Sequence, residues 1–312
     1  PIMLKRFPLL FLILLLSLAG CTGPGSSPQG DTISVVTTIF PPYDFARVIG
    51  GDSVTVTQLV MPGMECHTFD PSPADILAVQ NCDLFLYIGG ESEAWVDTIL
   101  EAVPDSNRVV LRLMDSVECL EEEDREGMTI QETREEKEED EHIWTSPRNC
   151  QILCKTIADA LCRICPERET EYRNRLSDYL ERLDELDGLL RSVTEQSIRK
   201  TLVFGDRFPF RYLCNDYSLS YWAAFPGCAA ETEPSPATMA FLIEKIRAEQ
   251  IPVVFSIEMS NQKVADAIAA ETGAAVLTLH SCHNRTLDEA KADLSFLDLM
   301  NRNLDALRTA LN

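Results

Sequence analysis

Short apolar runs alternate with longer amphipathic stretches from residue 33 to the end of the chain. The short runs predict buried strands, and apolar residues spaced three and four apart between them predict helices. Strands separated by helices are typical of βαβ units and parallel sheets. The predicted strands lie at residues 33–39, 54–60, 83–88, 109–113, 201–204, 219–223, 253–257 and 275–279.

Proline and serine residues mark the starts of several predicted helices. Ser72 is placed to cap a helix that ends near Asn81, because a serine oxygen can accept a hydrogen bond from the first turn. Pro147 suits the first turn of a helix that runs to about Ile164. Apolar residues at helical spacing over 167–199 predict a helix of about thirty residues, on the order of 45 Å long. The other predicted helices are 41–50, 93–102, 236–249, 261–272 and 286–311.

The long helix separates two groups of strands and predicts an α/β fold with two lobes. Each lobe is expected to have a mainly parallel sheet flanked by helices. The expected domains are an N-terminal lobe over 31–165, a linking helix over 166–199 and a C-terminal lobe over 200–312. The length of 312 residues agrees with two domains of ordinary size.

The first thirty residues have the pattern of an export signal. Two basic residues precede an apolar stretch over 7–18, which is too short to span a bilayer. Residues 18–21, Leu-Ala-Gly-Cys, resemble a bacterial lipobox, in which the cysteine receives the lipid. We therefore expect a signal peptide over 1–20, a lipid on Cys21 and a flexible tether over 21–30. The alternative is an ordinary signal peptide with a chance cysteine.

Charge narrows the class of ligand. The chain has 27 Lys and Arg against 50 Asp and Glu, a net charge of −23. Such a surface repels phosphate backbones, which argues against nucleic-acid binding, and it suits a cationic ligand. Twelve acidic and three basic residues are concentrated in Glu121–Glu141. This run predicts a mobile acidic loop, bounded here at 118–141, and a solvated loop without a role is the alternative.

The four histidines fall outside the predicted helices, at strand ends or at junctions between elements. In open α/β sheets, ligands bind beyond the carboxyl ends of the strands. Imidazole is a common zinc ligand, and carboxylates can complete the coordination. Each histidine alone is an ordinary loop residue, but together they predict a metal site in the cleft between the lobes. They are His67, His142, His280 and His283.

Two of the histidines lie in motifs that resemble those of a known family. Residues 62–75, with His67 in the centre, resemble the first metal motif of the cluster A-I solute-binding proteins. Residues 140–147, with His142, resemble the second. These proteins are the metal-binding lipoproteins of zinc and manganese ABC importers. The resemblance covers about 31–312 and implies a two-lobed fold with limited hinge bending about the long helix.

The two later motifs depart from the family pattern. Residues 204–208 resemble a stretch in which the family has histidine or glutamate where Gly205 stands. His280 stands where the family often has aspartate, so we expect it to be the first metal donor from the C-terminal lobe. Glu258 matches a family glutamate near the site and is expected either to bind the metal or to orient a ligand. The candidate donors from this lobe, in order, are His280, His283, Glu258 and Asp206.

The expected function is capture of a divalent transition metal and its delivery to an ABC permease with its ATPase. A site rich in imidazole favours zinc over manganese, which prefers oxygen donors. The protein is expected to be a monomer without enzymatic activity, held outside the bacterial cell membrane by its lipid. One alternative is a secreted zinc hydrolase with Glu258 or Asp206 as general base, although no His-Glu-x-x-His motif is present. The other is an adhesion or scaffold lipoprotein whose histidines are incidental.

Overall fold

Two parallel four-stranded sheets carry the fold of residues 32–103, 107–129, 138–227 and 233–312, which the computed structural model describes. The first sheet has the order β2-β1-β3-β4 and the second has the order β6-β5-β7-β8. The predicted fold class and all eight predicted strands are confirmed. Their bounds are β1 Ile33–Thr37, β2 Val54–Gln58, β3 Leu84–Tyr87, β4 Val109–Arg112, β5 Thr201–Phe208, β6 Ser220–Pro226, β7 Val253–Ser256 and β8 Ala275–Thr278.

Burial explains why these runs are strands. All four residues of β3 and of β7 are buried, as is usual for central strands that are covered on both faces. The edge strand β2 alternates between half-buried and exposed positions over most of its length. The carboxyl ends of the central strands are therefore shielded from water, and a loop that follows such a strand can hold a side chain in a buried position.

Ten α-helices flank the two sheets in the described residues. Ser72 caps the second helix as predicted, and its oxygen accepts a hydrogen bond from Asp75 N at 3.3 Å. Ser146 caps the fourth in the same way, with Pro147 in its first turn. The bounds are α1 Phe40–Gly50, α2 Pro73–Asn81, α3 Trp95–Ala102, α4 Pro147–Ile164, α5 Glu169–Gln196, α6 Arg211–Asp216, α7 Pro236–Glu249, α8 Lys263–Thr272, α9 Leu287–Lys291 and α10 Phe296–Leu311.

The long helix α5 packs against α1 and α4 of the first half and against α10 of the second. Its buried residues include Leu183, Leu186 and Leu190. They belong to one hydrophobic cluster that runs from the first sheet to the second. Because interiors of this kind are close-packed, α5 is a firm connection between the two sheets.

Two predictions about helices were incomplete. The helix predicted over 286–311 is two helices, because Asp293 has a positive φ of 49° and Ser295 begins a new capping box. The helix α6, only six residues long, was not predicted. A short helix shows too few turns for its period to be visible in the sequence.

Part of the predicted acidic loop packs against the second sheet, within residues 118–129, and its mobility stays a prediction. Arg125 lies over the ring of Tyr221, 4.0 Å from its centroid, and Thr129 N donates to Ala224 O at 2.9 Å. Both partners are in β6, so this segment is tied to the second sheet. The carboxylates pair with cations and hydroxyls there, which the charge pattern alone does not reveal. Residues 130–137 lie outside the described part.

The predicted signal peptide, Cys21 and tether also lie outside the described residues. Within the described part, no helix is long and apolar enough to cross a membrane. The nine cysteines of that part are free thiols, and Cys162 packs in the hydrophobic core.

Candidate metal site

Loops from both halves bring three of the four histidines together. His67 lies in the short turn Cys66–Thr68 between β2 and α2, and His142 directly precedes the turn that leads into α4. His283 follows β8. Each ring offers one nitrogen, and the three nitrogens lie within 4.8 Å of one another. Because zinc binds imidazole nitrogen at ~2.0–2.1 Å, a small adjustment of the side chains would place all three on one ion.

The three rings line a cavity of about 20 Å³. A single water molecule needs ~10–15 Å³ by this measure, so the cavity has room for one small ion and little else. His142 and His283 form its buried floor, at 1% and 7% exposure. His67 is partly exposed and lies nearer to solvent.

A carboxylate fixes the orientation of His142. Asp140 Oδ1 accepts hydrogen bonds from the backbone N of His142 at 2.8 Å and from its Nδ1 at 3.1 Å. This pairing assigns the Nδ1–H tautomer and leaves Nε2 as the donor atom for a metal. Burial opposes a charge on this ring, but Asp140, Glu141 and Glu122 outweigh burial and raise the pKa of His142.

The other two imidazoles are kept neutral. Burial, together with the charges of His142 and Arg207, lowers the pKa of His67 to about 4. Burial and the same two neighbours, along with His67, lower the pKa of His283 well below its usual value. Neutral imidazole is the form that binds a metal ion, so both rings are ready to act as donors at neutral pH.

His280 does not join this group, contrary to its expected place as first donor of the second half. Its Nδ1 accepts a hydrogen bond from Cys282 N at 2.9 Å, and its Nε2 lies 3.3 Å from Glu289 Oε2. Both ring nitrogens are therefore engaged, one by its own loop and the other by α9. Of His280 and His283, the structure brings only His283 to the cavity. The intervening Cys282 has a φ of 61°, which turns the chain between the two rings.

Glu258 holds the turn that carries His283. Its Oε2 accepts from Ser281 N at 2.7 Å and its Oε1 accepts from Ser281 Oγ at 2.5 Å. Ser281 Oγ in turn accepts from His283 N at 3.2 Å. Of the two roles expected for Glu258, this geometry agrees with that of orienting a ligand.

Asn284 joins the loops of the two halves. Its Nδ2 donates to Met61 O at 2.8 Å and to Met64 O at 3.0 Å, so the segment before His67 is tied to the residue after His283. This contact helps to keep the ring of His67 beside the ring of His283.

Gly205, which stands where the family has histidine or glutamate, does not face the cavity. A Cβ at this position would lie 2.6 Å from the backbone of Ala265 in α8, so the position faces that helix. Asp206 is also directed elsewhere. Its Oδ1 accepts from Arg207 N at 2.9 Å, and its Oδ2 accepts from Ile257 N at 3.3 Å. It therefore ties β5 to the end of β7 and does not line the cavity.

Arg207 is the residue of β5 that lines the cavity, and it was not predicted from the sequence. The pairing of β5 with β6 shifts between Phe204 and Arg207, which is the mark of a β-bulge. A bulge changes which side chains face which side, and bulges often re-aim a side chain near a functional site. The signal available in the sequence was Gly205, because an isolated glycine inside a strand often marks a bulge.

Glu65, also missed, lines the cavity beside Arg207. Its Oε2 lies 3.3 Å from Arg207 Nη2, and its Oε1 lies 3.5 Å from Nη1. The ion pair thus joins the segment that carries His67 to the second sheet.

Two parallel sheets joined by a long helix, with a histidine-lined cavity at their strand ends, define the class of two-lobed solute-binding proteins. Residues 35–310 match the family model described as zinc-uptake complex component A, periplasmic (ZnuA), and the chain belongs to this family. The resemblance inferred from the two motifs is confirmed.

Three similar proteins illustrate the match. The high-affinity zinc uptake system protein ZnuA of Bacillus subtilis is 29% identical over 317 residues, covering 99% of each chain. The crystal structure of the Zn(II)-bound ZnuA-like domain of Streptococcus pneumoniae AdcA has a TM-score of 0.75 at 26% identity, covering 90% of this chain and 99% of that one. The laminin-binding protein Lmb of Streptococcus agalactiae, described as bifunctional with adhesin and metal transporting activity, has a TM-score of 0.76 at 25% identity, covering 90% and 100%.

Proposed function

We propose that this protein captures zinc outside the cytoplasmic membrane and delivers it to an ABC permease that an ATPase drives. The observation that carries the proposal is the set of three imidazole nitrogens within 4.8 Å of one another. The zinc uptake protein of Bacillus subtilis, similar along 99% of its length, supports the same transported ion.

In this proposal His67, His142 and His283 bind the ion. Asp140 fixes the ring of His142, and Glu258 fixes the turn of His283 through Ser281. His280 has a supporting role, because its nitrogens are taken up by Cys282 and Glu289. The metal would thus be held between loops of the two sheets.

Nitrogen donors favour zinc over manganese, which prefers oxygen-rich sites. Affinity alone does not exclude copper, which exceeds zinc in the Irving–Williams order, so availability also decides which metal is carried. A lipid on Cys21 would keep the protein at the membrane surface, near its permease.

The small cavity argues against a secreted zinc hydrolase. A catalytic zinc keeps an open position for water and substrate, whereas a volume of about 20 Å³ has room for little beyond the ion. Adhesion is a second candidate function, supported by the similarity to Lmb with its adhesin and metal transporting activities. Binding of the purified chain to immobilised laminin, with and without bound zinc, tests it.

The main proposal is tested by metal analysis of the full chain purified without chelator, followed by competition between zinc and manganese. We expect one zinc per chain and displacement of manganese by zinc. The His67→Ala variant is expected to lose tight binding and retain its secondary structure. Zinc binding at full affinity by this variant would contradict the ligand assignment, and absence of stoichiometric metal would contradict the function.

A further inference from the structure

Three histidines leave one position open on a zinc ion, because zinc in proteins usually has four ligands. Among the described residues, two carboxylates line the cavity, Glu65 and Glu258. The fourth donor is best sought between these two, since the cavity is too small for a chelated metal or a bulky external ligand.

Both carboxylate oxygens of Glu258 are already engaged. Both of its oxygens accept hydrogen bonds from Ser281, at 2.7 and 2.5 Å. Moving this carboxylate onto the ion would release Ser281 and, with it, the hydrogen bond to His283 N. One ligand would then be gained while the orientation of another was lost.

Glu65 is held more loosely. It lies two residues before His67, its side chain is 41% exposed, and its carboxylate contacts Arg207 and accepts a hydrogen bond from the backbone N of His67. Its distances to Arg207, 3.3 and 3.5 Å, are longer than the ~2.7–2.9 Å of a strong charge-assisted hydrogen bond. At equal distance a divalent ion attracts a carboxylate twice as strongly as a guanidinium does.

We propose that Glu65 completes the coordination of the metal, and that Arg207 holds this carboxylate at the mouth of the cavity until the ion enters. The inference rests on the proposed function, in which the three histidines bind the ion. In the present geometry the carboxylate is not part of the set of donors within 4.8 Å, so it must rotate from Arg207 towards the ion. Arg207 itself cannot bind a metal, because a guanidinium has no lone pair to offer.

The rival donor is Cys66, whose thiol also lines the cavity. It packs in the hydrophobic core and is 4% exposed, so reaching the ion would require it to leave the core. Cobalt(II) in place of zinc separates the two donors, since a thiolate ligand adds an intense near-ultraviolet charge-transfer band and a carboxylate does not.

The test compares Glu65→Gln with Arg207→Gln in the full chain, by chelator competition for zinc and by the visible spectrum of the cobalt-loaded protein. Glu65→Gln should weaken zinc binding by roughly 10- to 100-fold, a range that even outer partners of metal ligands can cost, and should change the cobalt spectrum. Arg207→Gln should strengthen zinc binding, because it removes the competitor for Glu65 and a nearby positive charge, and should retain the parent spectrum.

Asp70→Asn is the matched control. It makes the same change of charge on an exposed residue of the same segment that does not line the cavity. It should alter affinity by no more than about twofold, since salt weakens interactions of exposed charges over a Debye length of ~8 Å. Thermal melting of each metal-free variant checks that it is folded.

Three results would overturn the inference. The first is unchanged zinc affinity of Glu65→Gln. The second is an equal loss of zinc affinity in Glu65→Gln and Arg207→Gln, which would mean that the ion pair only joins the two halves. The third is a thiolate band in the spectrum of the cobalt-loaded parent protein. Any of them leaves the proposed function intact as long as the histidine variants lose zinc. Retention of zinc by the histidine variants would instead contradict the proposed function.

Discussion

In the first half of the chain, His67 lies in a short turn and His142 directly precedes one, and short motifs surround both. In the second half, His283 lies in a turn whose shape depends on Glu258 and Ser281, more than twenty residues apart. The first half thus places its donors with residues nearby in sequence. The second half uses a network that only the folded chain brings together, and there the choice between His280 and His283 could not be made from spacing.

The largest expected effect comes from removing a donor in either half. His142→Ala and His283→Ala should each weaken zinc binding by about 100-fold or more, above the range found for outer partners. His280→Ala should cost less, because its ring orders the turn and does not face the cavity. Titration with a competing zinc chelator measures all three. A loss for His280→Ala that exceeds the loss for His283→Ala would restore the order expected from the sequence.

The next comparison concerns the carboxylates that orient the two buried rings. Asp140→Asn and Glu258→Gln should each weaken zinc binding by about 10- to 100-fold, since outer partners of ligands act on this scale. Glu258→Gln should also loosen the turn around Ser281, which hydrogen exchange of the Ser281 and His283 amides can detect. Unchanged affinity and exchange in Glu258→Gln would mean that the turn is held by other contacts.

A substitution at Gly205 tests whether this position belongs to the metal site, as the family resemblance implied, or only packs against α8. Gly205→Ala should destabilise the protein by about 1–3 kcal/mol, because its Cβ would lie 2.6 Å from the backbone of Ala265 and would overpack that contact. Zinc affinity of the folded variant should remain close to that of the parent. Urea unfolding and zinc titration are the measurements. A large loss of zinc affinity with normal stability would place this position at the site after all.

The smallest expected effect is the pH dependence of folding stability that comes from the contact between His280 and Glu289. Burial opposes charge on Glu289, but hydrogen bonds from His280 and Thr286 outweigh it and lower the pKa of Glu289 to about 2. The contribution of the ionised Glu289 to folding stability is therefore present above the unfolded pKa of ~4.3 and is lost as the pH falls towards 2.

Glu289→Gln should lower the melting temperature of the metal-free protein at pH 6 and have a smaller effect at pH 3. Glutamine retains the shape of the cap at Thr286, so the difference reports on the charge. A difference that does not depend on pH would show that the carboxylate acts without its charge.

The amino-acid sequence by itself determined the order of the eight strands, the α/β class and the position of His67 and His142 in two family motifs. These features depend on local periodicity, on capping residues such as Ser72 and on motifs within about fifteen residues, all of which are visible along the chain. The lobe boundaries, the signal peptide and the lipid on Cys21 stay predictions.

Tertiary structure decided the rest of the site. The bulge in β5 turned Arg207 towards the cavity and Gly205 towards α8, and a strand pattern of period two does not reveal an extra residue. Glu289 holds the ring of His280, whereas Glu258 holds the turn that carries His283 to the cavity. The acidic segment is attached through its contacts with β6. Such contacts join residues far apart in the chain, so their energies exist only once the fold has brought the partners together.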